Sequence, residues 1–287
     1  IFYEESRLQY QMDVEAALAR AHASLGTITE EQAAEITRVA SLDVVDINRV
    51  KEIEKDTRHD IMAMVRSMTE QCEGDAGKFV HYGATSNDIV DTAVALQIKA
   101  AIEIIQADVD KFTLTLAKLA KRERDTLEIG RTHAQFAIPI TFGFKIAGYV
   151  AEMLRHRERL QQAKPRACAG KMAGAVGTGA ALGKNFFKIQ ETVMEDLGLA
   201  YEPAATQVVG RDRYTEVITH ENMDVCKELA DKWCASHEDA GDKRALDKAF
   251  AHYDELCFEG IILYAEPGRP VGFSMGNRIS RDTFDVN

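Results

Sequence analysis

From Asp88 to Arg124 the chain runs without a proline or a glycine, and Ile89, Val90, Ala93, Leu96, Ile98, Ala101, Ile104 and Ile105 lead into Phe112, Leu114, Leu116 and Leu119. Apolar residues recurring every three to four positions over that length specify one long helix, apolar around much of its girth. A second long helix is expected from about Ile140 to Gln162, with Phe142, Phe144, Ile146, Val150, Met153 and Leu154 ahead of Pro165. A helix apolar on several sides must be covered on several sides, so the pair predicts a bundle, of a kind often shared between subunits.

Shorter helices are expected upstream. Glu5 to His22 carries Leu8, Met12, Val14, Ala17 and Leu18 at a spacing that buries one face. Thr29, with Glu31 and Gln32 close behind, has the pattern of a helix start, and Asp46 to Ile53 reads as another short helix. Asp60 or Thr57 is expected to cap the helix that holds Ile61, Met62, Met64 and Val65, with Arg58 and His59 at its mouth.

Two polar segments flank the long helix. HYGATSND, His81 to Asp88, offers two hydroxyls, an amide and backbone N–H groups at a helix start, which together make a carboxylate cradle. GRTHAQ, Gly130 to Gln135, places His133 beside Arg131, Thr132 and Gln135, and imidazole is the side chain best suited to proton transfer near neutral pH. An acidic substrate and acid–base chemistry fit this pair. Each has a plainer reading: Thr85 and Ser86 as helix caps, His133 as a hydrogen-bonded structural residue, and, nearby, Arg58 as an ion-pair partner of Glu54. The glycine- and alanine-rich stretch Lys171 to Gly183 is open between a close backbone approach and a flexible flap over a pocket; it lacks the Lys-Ser/Thr ending of a nucleoside triphosphate loop.

Composition limits what these segments serve. A formal net charge of −11 excludes a general nucleic-acid binder, which needs clustered Lys and Arg. Five cysteines without CxxC or metal-ligand spacing point to a reduced, cytoplasmic setting and to no metal site. Ile1 to Arg20 is charged and amphipathic, so no membrane anchor is expected there, and without an initiator Met further residues are expected before Ile1.

The segments TRHD (Thr57 to Asp60), HYGATSNDIVDTA (His81 to Ala93), GRTHAQ, GAVGT (Gly174 to Thr178) and TQVVGRDRYTE (Thr206 to Glu216) resemble, in order and spacing, the adenylosuccinate lyases of the fumarase and aspartase superfamily. The likeness runs from Ile1 to about Val217. It implies a mainly α fold: an N-terminal helical domain over residues 1–87, part of a central long-helix bundle over 88–217, and beyond it an α+β tail over 218–287 unlike the family. It also implies β-elimination of fumarate from adenylosuccinate and from the succinylcarboxamide ribonucleotide of purine synthesis, by a homotetramer. By resemblance, His133 is the proton donor, Thr85 and Ser86 hold the succinyl carboxylates, Gln207 binds succinyl or amide groups, and Arg58, His59 and Asp60 line the nucleotide side. No cofactor is implied, because the substrate's own carboxylate is the electron sink.

The family's flexible loop of the form SSxMPxKxNP, whose serine is the proposed general base, has no counterpart string. Gly272 to Arg278 shares only a Ser-Met pair with it, at Ser274. The tail instead reads as a helix over Glu238 to Leu256, a strand over Gly260 to Ala265, a hairpin turn at Glu266 to Arg269, a returning strand over Pro270 to Met275 and a further strand from Asp282. Through ENMDVCKELADKW, HYDELCFEGIILY, GRPVGFSMG and DTFDVN it is similar to part of a GNAT-like acyltransferase family, the C-terminal domains of phosphatidylglycerol lysyltransferases. A non-catalytic fusion of a lyase segment with a partial acyltransferase segment is therefore the alternative to an active lyase.

Overall fold

The computed structural model describes residues 1–217, 264–266 and 269–270. In chain order the elements are helices α1 (Glu4–Ser24), α2 (Glu30–Val39), α3 (Ile47–Thr57), α4 (Asp60–Gln71) and α5 (Ser86–Arg122), then strands β1 (Leu127–Thr132) and β2 (Gln135–Thr141). Helix α6 (Phe142–Ala167), the short β3 (Ala169–Gly170), α7 (Phe186–Leu197), β4 (Ala200–Tyr201), the single turn α8 (Asp212–Thr215), β5 (Tyr264–Glu266) and β6 (Arg269–Pro270) complete the order. Two compact units divide them: residues 1–101 with 163–213, and residues 102–162 with 214–287.

The first unit is built around α1, which packs against α2 and α7 while α3 packs on α4. Burial of one face was expected for α1. It is buried on most sides from Gln11 to Ala23, because Ala16, Ala17, Ala19, Ala21 and Ala23 let neighbouring backbones close in where larger residues would hold them off. Its core joins Met12 and Leu18 to Ile36, Ile61, Met64 and Met68, all at most 1% exposed. The helix starts obey local chemistry. Thr29 Oγ1 accepts from Gln32 N at 3.2 Å while Gln32 Oε1 accepts from Thr29 N at 2.9 Å, and Asp46 Oδ1 accepts from Asn48 N at 2.9 Å.

Helix α5 has 37 residues, roughly 55 Å at 1.5 Å per residue. Within the second unit Ile105 and Val109 of α5 close on Leu160 of α6, and Arg157 Nε reaches Asp110 Oδ1 at 2.7 Å. Farther along, Leu114, Phe144 and Leu154 are 56%, 71% and 51% exposed. Helix α6 continues through Pro165 to Ala167 instead of ending ahead of it.

GRTHAQ is not a loop between helices. It forms the end of an antiparallel hairpin in which Thr132 pairs with Gln135, and β2 holds Ile140 and Thr141 in strand where helix was expected. His133 and Ala134 make the turn at φ 49° and 59°, and left-handed φ at both central residues is what a two-residue hairpin turn needs to match strand twist. The Arg131 guanidinium lies 4.8 Å from the centre of the Phe136 ring, within cation–π range.

Strand β5 pairs antiparallel with β6, Tyr264 opposite Pro270, at the place of the expected tail hairpin. The expected Glu238 to Leu256 helix, the strand from Asp282, and Ser274 lie outside the described residues. No described helix is long and apolar enough to cross a membrane.

Candidate active site

The first unit brings TRHD and HYGATSND together. Helix α3 ends at Arg58 in the left-handed region, φ 50°, with its N–H donating to Glu54 O at 2.7 Å. That reversal leaves His59 extended, so His59 becomes the N-cap of α4, its Nδ1 accepting from Met62 N at 3.3 Å. Neither Asp60 nor Thr57 is the cap. Asp60 Oδ1 accepts from its neighbour Ile61 N at 2.7 Å, and Thr57 Oγ1 donates to His59 O at 3.2 Å. The left-handed turn also carries Arg58 off the face of Glu54. The Glu54 ion pair of the plainer reading is absent among the described residues, and Arg58 is exposed.

Capping fixes the tautomer of His59. A ring nitrogen that accepts a backbone N–H carries no proton, so in the neutral imidazole the proton sits on Nε2. That nitrogen lies 3.3 Å from Ser86 Oγ, the first residue of α5. A histidine whose remaining N–H points at a serine hydroxyl is a proton-handling arrangement at hydrogen-bond reach.

The segment that carries Ser86 is tied down from α1. His81, at φ 64°, donates its backbone N–H to Glu15 Oε2 at 2.9 Å, and its Nδ1 meets Glu15 Oε1 at 2.6 Å. Burial is the largest single influence on this imidazole and pushes it down, but the hydrogen bond and charge of Glu15, with the charge of Asp88, outweigh it and hold His81 above the usual histidine value. The next residue is held as well. His22 Nε2 bonds Tyr82 O at 3.0 Å, with the two rings edge to face at 5.2 Å. Burial lowers the His22 imidazole, against the raising effect of the Tyr82 carbonyl.

Beyond the loop, α5 opens with Asp88, Asp91 and Thr92, one helical face by spacing and at most 1% exposed. Asp88 accepts from Thr85 N at 2.9 Å, Ala173 N at 2.9 Å and Gly174 N at 3.0 Å, and pairs with the fully buried ammonium of Lys171. Thr92 Oγ1 accepts from Lys171 N at 3.0 Å and donates to Lys171 O at 2.9 Å. Asp91 accepts from Val209 N and Arg211 Nη1, each at 2.8 Å. The start of the Lys171 to Gly183 stretch is therefore a pinned backbone approach, and Lys171 to Gly174 is buried, whereas Ala175, Val176 and Thr178 are exposed.

Among the sequence candidates, His59, Thr85 and Ser86 gather in this first unit; Thr85 directs its N–H to Asp88, the backbone role of a helix cap. Arg58 and Asp60 flank them in sequence on exposed positions, and Gln207 sits on an exposed bend two residues before the anchored Val209. His133 belongs to the second unit, exposed at the hairpin tip. Sequence reasoning named Asp88 only within the HYGATSND loop and gave no role to Asp91, Thr92, Lys171 or Glu15. The available clue was three polar residues at one-turn spacing inside an otherwise apolar run.

Residues 1–229 match the profile of the family described as Lyase. This chain belongs to that lyase family. As a lyase-family chain it is 51% identical over 218 residues to the adenylosuccinate lyase of Pyrococcus abyssi, covering 76% of this chain and 48% of that protein. It is 47% identical over 218 residues to the adenylosuccinate lyase of Methanocaldococcus jannaschii, covering 76% and 47%. Among solved structures, the fumarate lyase of Mesorhizobium sp. BNC1 superposes with a TM-score of 0.69 at 34% identity over 76% of this chain and 51% of that one. The 3-carboxy-cis,cis-muconate lactonizing enzyme of Pseudomonas putida gives 0.69 and 34% over 76% and 50%. The chain spans about half the length of the curated relatives it matches. Residues 210–287 match a second profile, that of the C-terminal region of phosphatidylglycerol lysyltransferase, as the tail's resemblance predicted.

Proposed function

We propose that this lyase-family chain eliminates fumarate from adenylosuccinate, and from succinylcarboxamide ribonucleotide, in purine nucleotide synthesis in the cytoplasm. The observation that carries the proposal is the 3.3 Å approach of His59 Nε2 to Ser86 Oγ, at a segment fixed by buried charge. In the reaction a base removes the proton from the carbon beside a succinyl carboxylate, whose oxygens take up the electron pair. That dianion collapses, the C–N bond breaks, and the nitrogen leaves with a proton from an acid. His133 is the proposed acid. His59, held as the Nε2–H tautomer, orients the proton transfer, and Thr85 and Ser86 hold the carboxylates. Gln207 is the proposed contact to succinyl or amide groups, and Arg58 and Asp60 line the nucleotide side.

The proposed form is a homo-oligomer, a tetramer by family resemblance. Exposed Leu114, Phe136, Phe144 and Leu154, the first three of them 56%, 74% and 71% accessible, support it, since large apolar side chains gain by being taken out of water. The negative formal charge of −11 favours a small-molecule substrate over a nucleic acid.

A second reading is a non-catalytic fusion, favoured by the match of residues 210–287 to an unrelated profile where the family's base loop would be sought. Adenylosuccinate given to the purified chain separates the two. Fumarate release, lost in His133→Ala, is expected for the lyase; no release from folded oligomer would leave the fusion reading standing.

A further inference from the structure

Two segments meet at one carboxylate. Asp88 takes Thr85 N–H from the HYGATSND side, and Ala173 N–H, Gly174 N–H and the Lys171 ammonium from the GAVGT side. All four backbone N–H groups from Lys171 to Gly174 end on buried side chains, because Thr92 takes Lys171 N and Gln190 takes Met172 N at 3.1 Å. Farther along the chain from GAVGT, Leu182 and the Ala181 carbonyl leave no room for a methyl group at Gly83.

We infer that Asp88 is a positioning residue that couples the Thr85–Ser86 segment to the Lys171–Gly174 segment, so that the two shift or hold as one unit. The inference rests on the proposed role of Thr85 and Ser86 as carboxylate holders. It also narrows how a dicarboxylate is read. Successive N–H groups such as those of Ala173 and Gly174 form an anion-binding concavity, and here the chain's own carboxylate fills it. Both substrate carboxylates must then be held by the hydroxyls of Thr85 and Ser86 and by groups other than that concavity.

Coupling makes a prediction that a local contact does not. In Asp88→Asn the remaining oxygen stays on the Lys171 ammonium, its strongest donor, so the amide nitrogen, which cannot accept, takes the place of Oδ2, and Thr85 N–H and Gly174 N–H, one on each segment, lose their partner. Hydrogen exchange of the full-length protein, read on peptides covering 81–87 and 171–178, is expected to speed up in both by about tenfold, with α1 and α7 unchanged. Fumarate release is expected to show a KM raised about tenfold and an unaltered pH profile of kcat, because no proton-carrying group is removed. If exchange spreads to α1 and α7, Asp88→Asn/Lys171→Met replaces the single variant, since it leaves no unpaired buried ammonium. Faster exchange in only one segment, or an unmoved KM, overturns the coupling. A wild-type chain that releases no fumarate refutes the proposed reaction instead, and the exchange result alone then decides the coupling.

Discussion

Gly177→Ala is a direct probe of how tightly the GAVGT segment is fitted against the backbone of residues 205 and 206. Gly177 has φ 83°, and a methyl group built there would overlap the carbonyl oxygen of Ala205 and come within 2.8 Å of its carbonyl carbon and 2.9 Å of Thr206 Cα. Every one of those atoms is backbone, so no side chain can rotate away. The left-handed conformation costs an L-residue roughly 1–2 kcal/mol, and forcing a methyl into filled space adds typically ~1–3 kcal/mol. The expected destabilisation is about 2–5 kcal/mol, visible in urea unfolding monitored by circular dichroism. Gly174→Ala is the built-in control. Gly174 has φ 75° but nothing within 4 Å of its added methyl, so only the conformational cost applies. The difference between the two variants isolates the collision with residues 205 and 206. Equal destabilisation by both would refute the close fit.

The site carries two further expected outcomes. Glu15→Gln removes the partner that holds the His81 imidazole high. A raised folded-state value contributes stability fully present below the unfolded histidine value and lost as pH rises through the folded one. The variant's deficit should therefore be largest near about pH 5.5 and shrink toward alkaline pH; urea midpoints with a pH-independent deficit would contradict this. His59→Asn keeps a side chain that caps well, whereas His59→Ala costs roughly 1 kcal/mol of cap. Thermal melting should separate the two variants while fumarate release falls in both; retained turnover in His59→Asn would remove the imidazole from the chemistry.

The helical scaffold was legible because its determinants are local. Helix α5, expected over Asp88 to Arg124, spans Ser86–Arg122, and the Thr29 capping pattern forms with both of its hydrogen bonds. The β1–β2 hairpin was not legible, since its turn is His-Ala rather than the glycine or asparagine that usually signals left-handed φ, and its strands alternate neither cleanly nor deeply. Burial of α1 on most sides was hidden by its alanines, which carry little weight in a periodicity argument. The site divides the same way. His59 and Ser86 stood in recognisable segments, but Asp88, which takes the N–H of Thr85 beside Ser86, reads locally as a first-turn helix acid. Its partner Lys171 lies 83 positions away and Val209 lies 118 from Asp91, separations at which spacing alone says nothing.

The hairpin tip bears on how this chain could be improved or spoiled. Two consecutive L-residues in left-handed φ at His133 and Ala134 make the turn a place where local stability alone would select asparagine and glycine. Stabilisation by turn optimisation would therefore erase the imidazole first. A thermally hardened version of this protein, chosen without an activity screen, would tend to lose the residue proposed to donate the proton, and the gain in melting temperature would itself mark the trade.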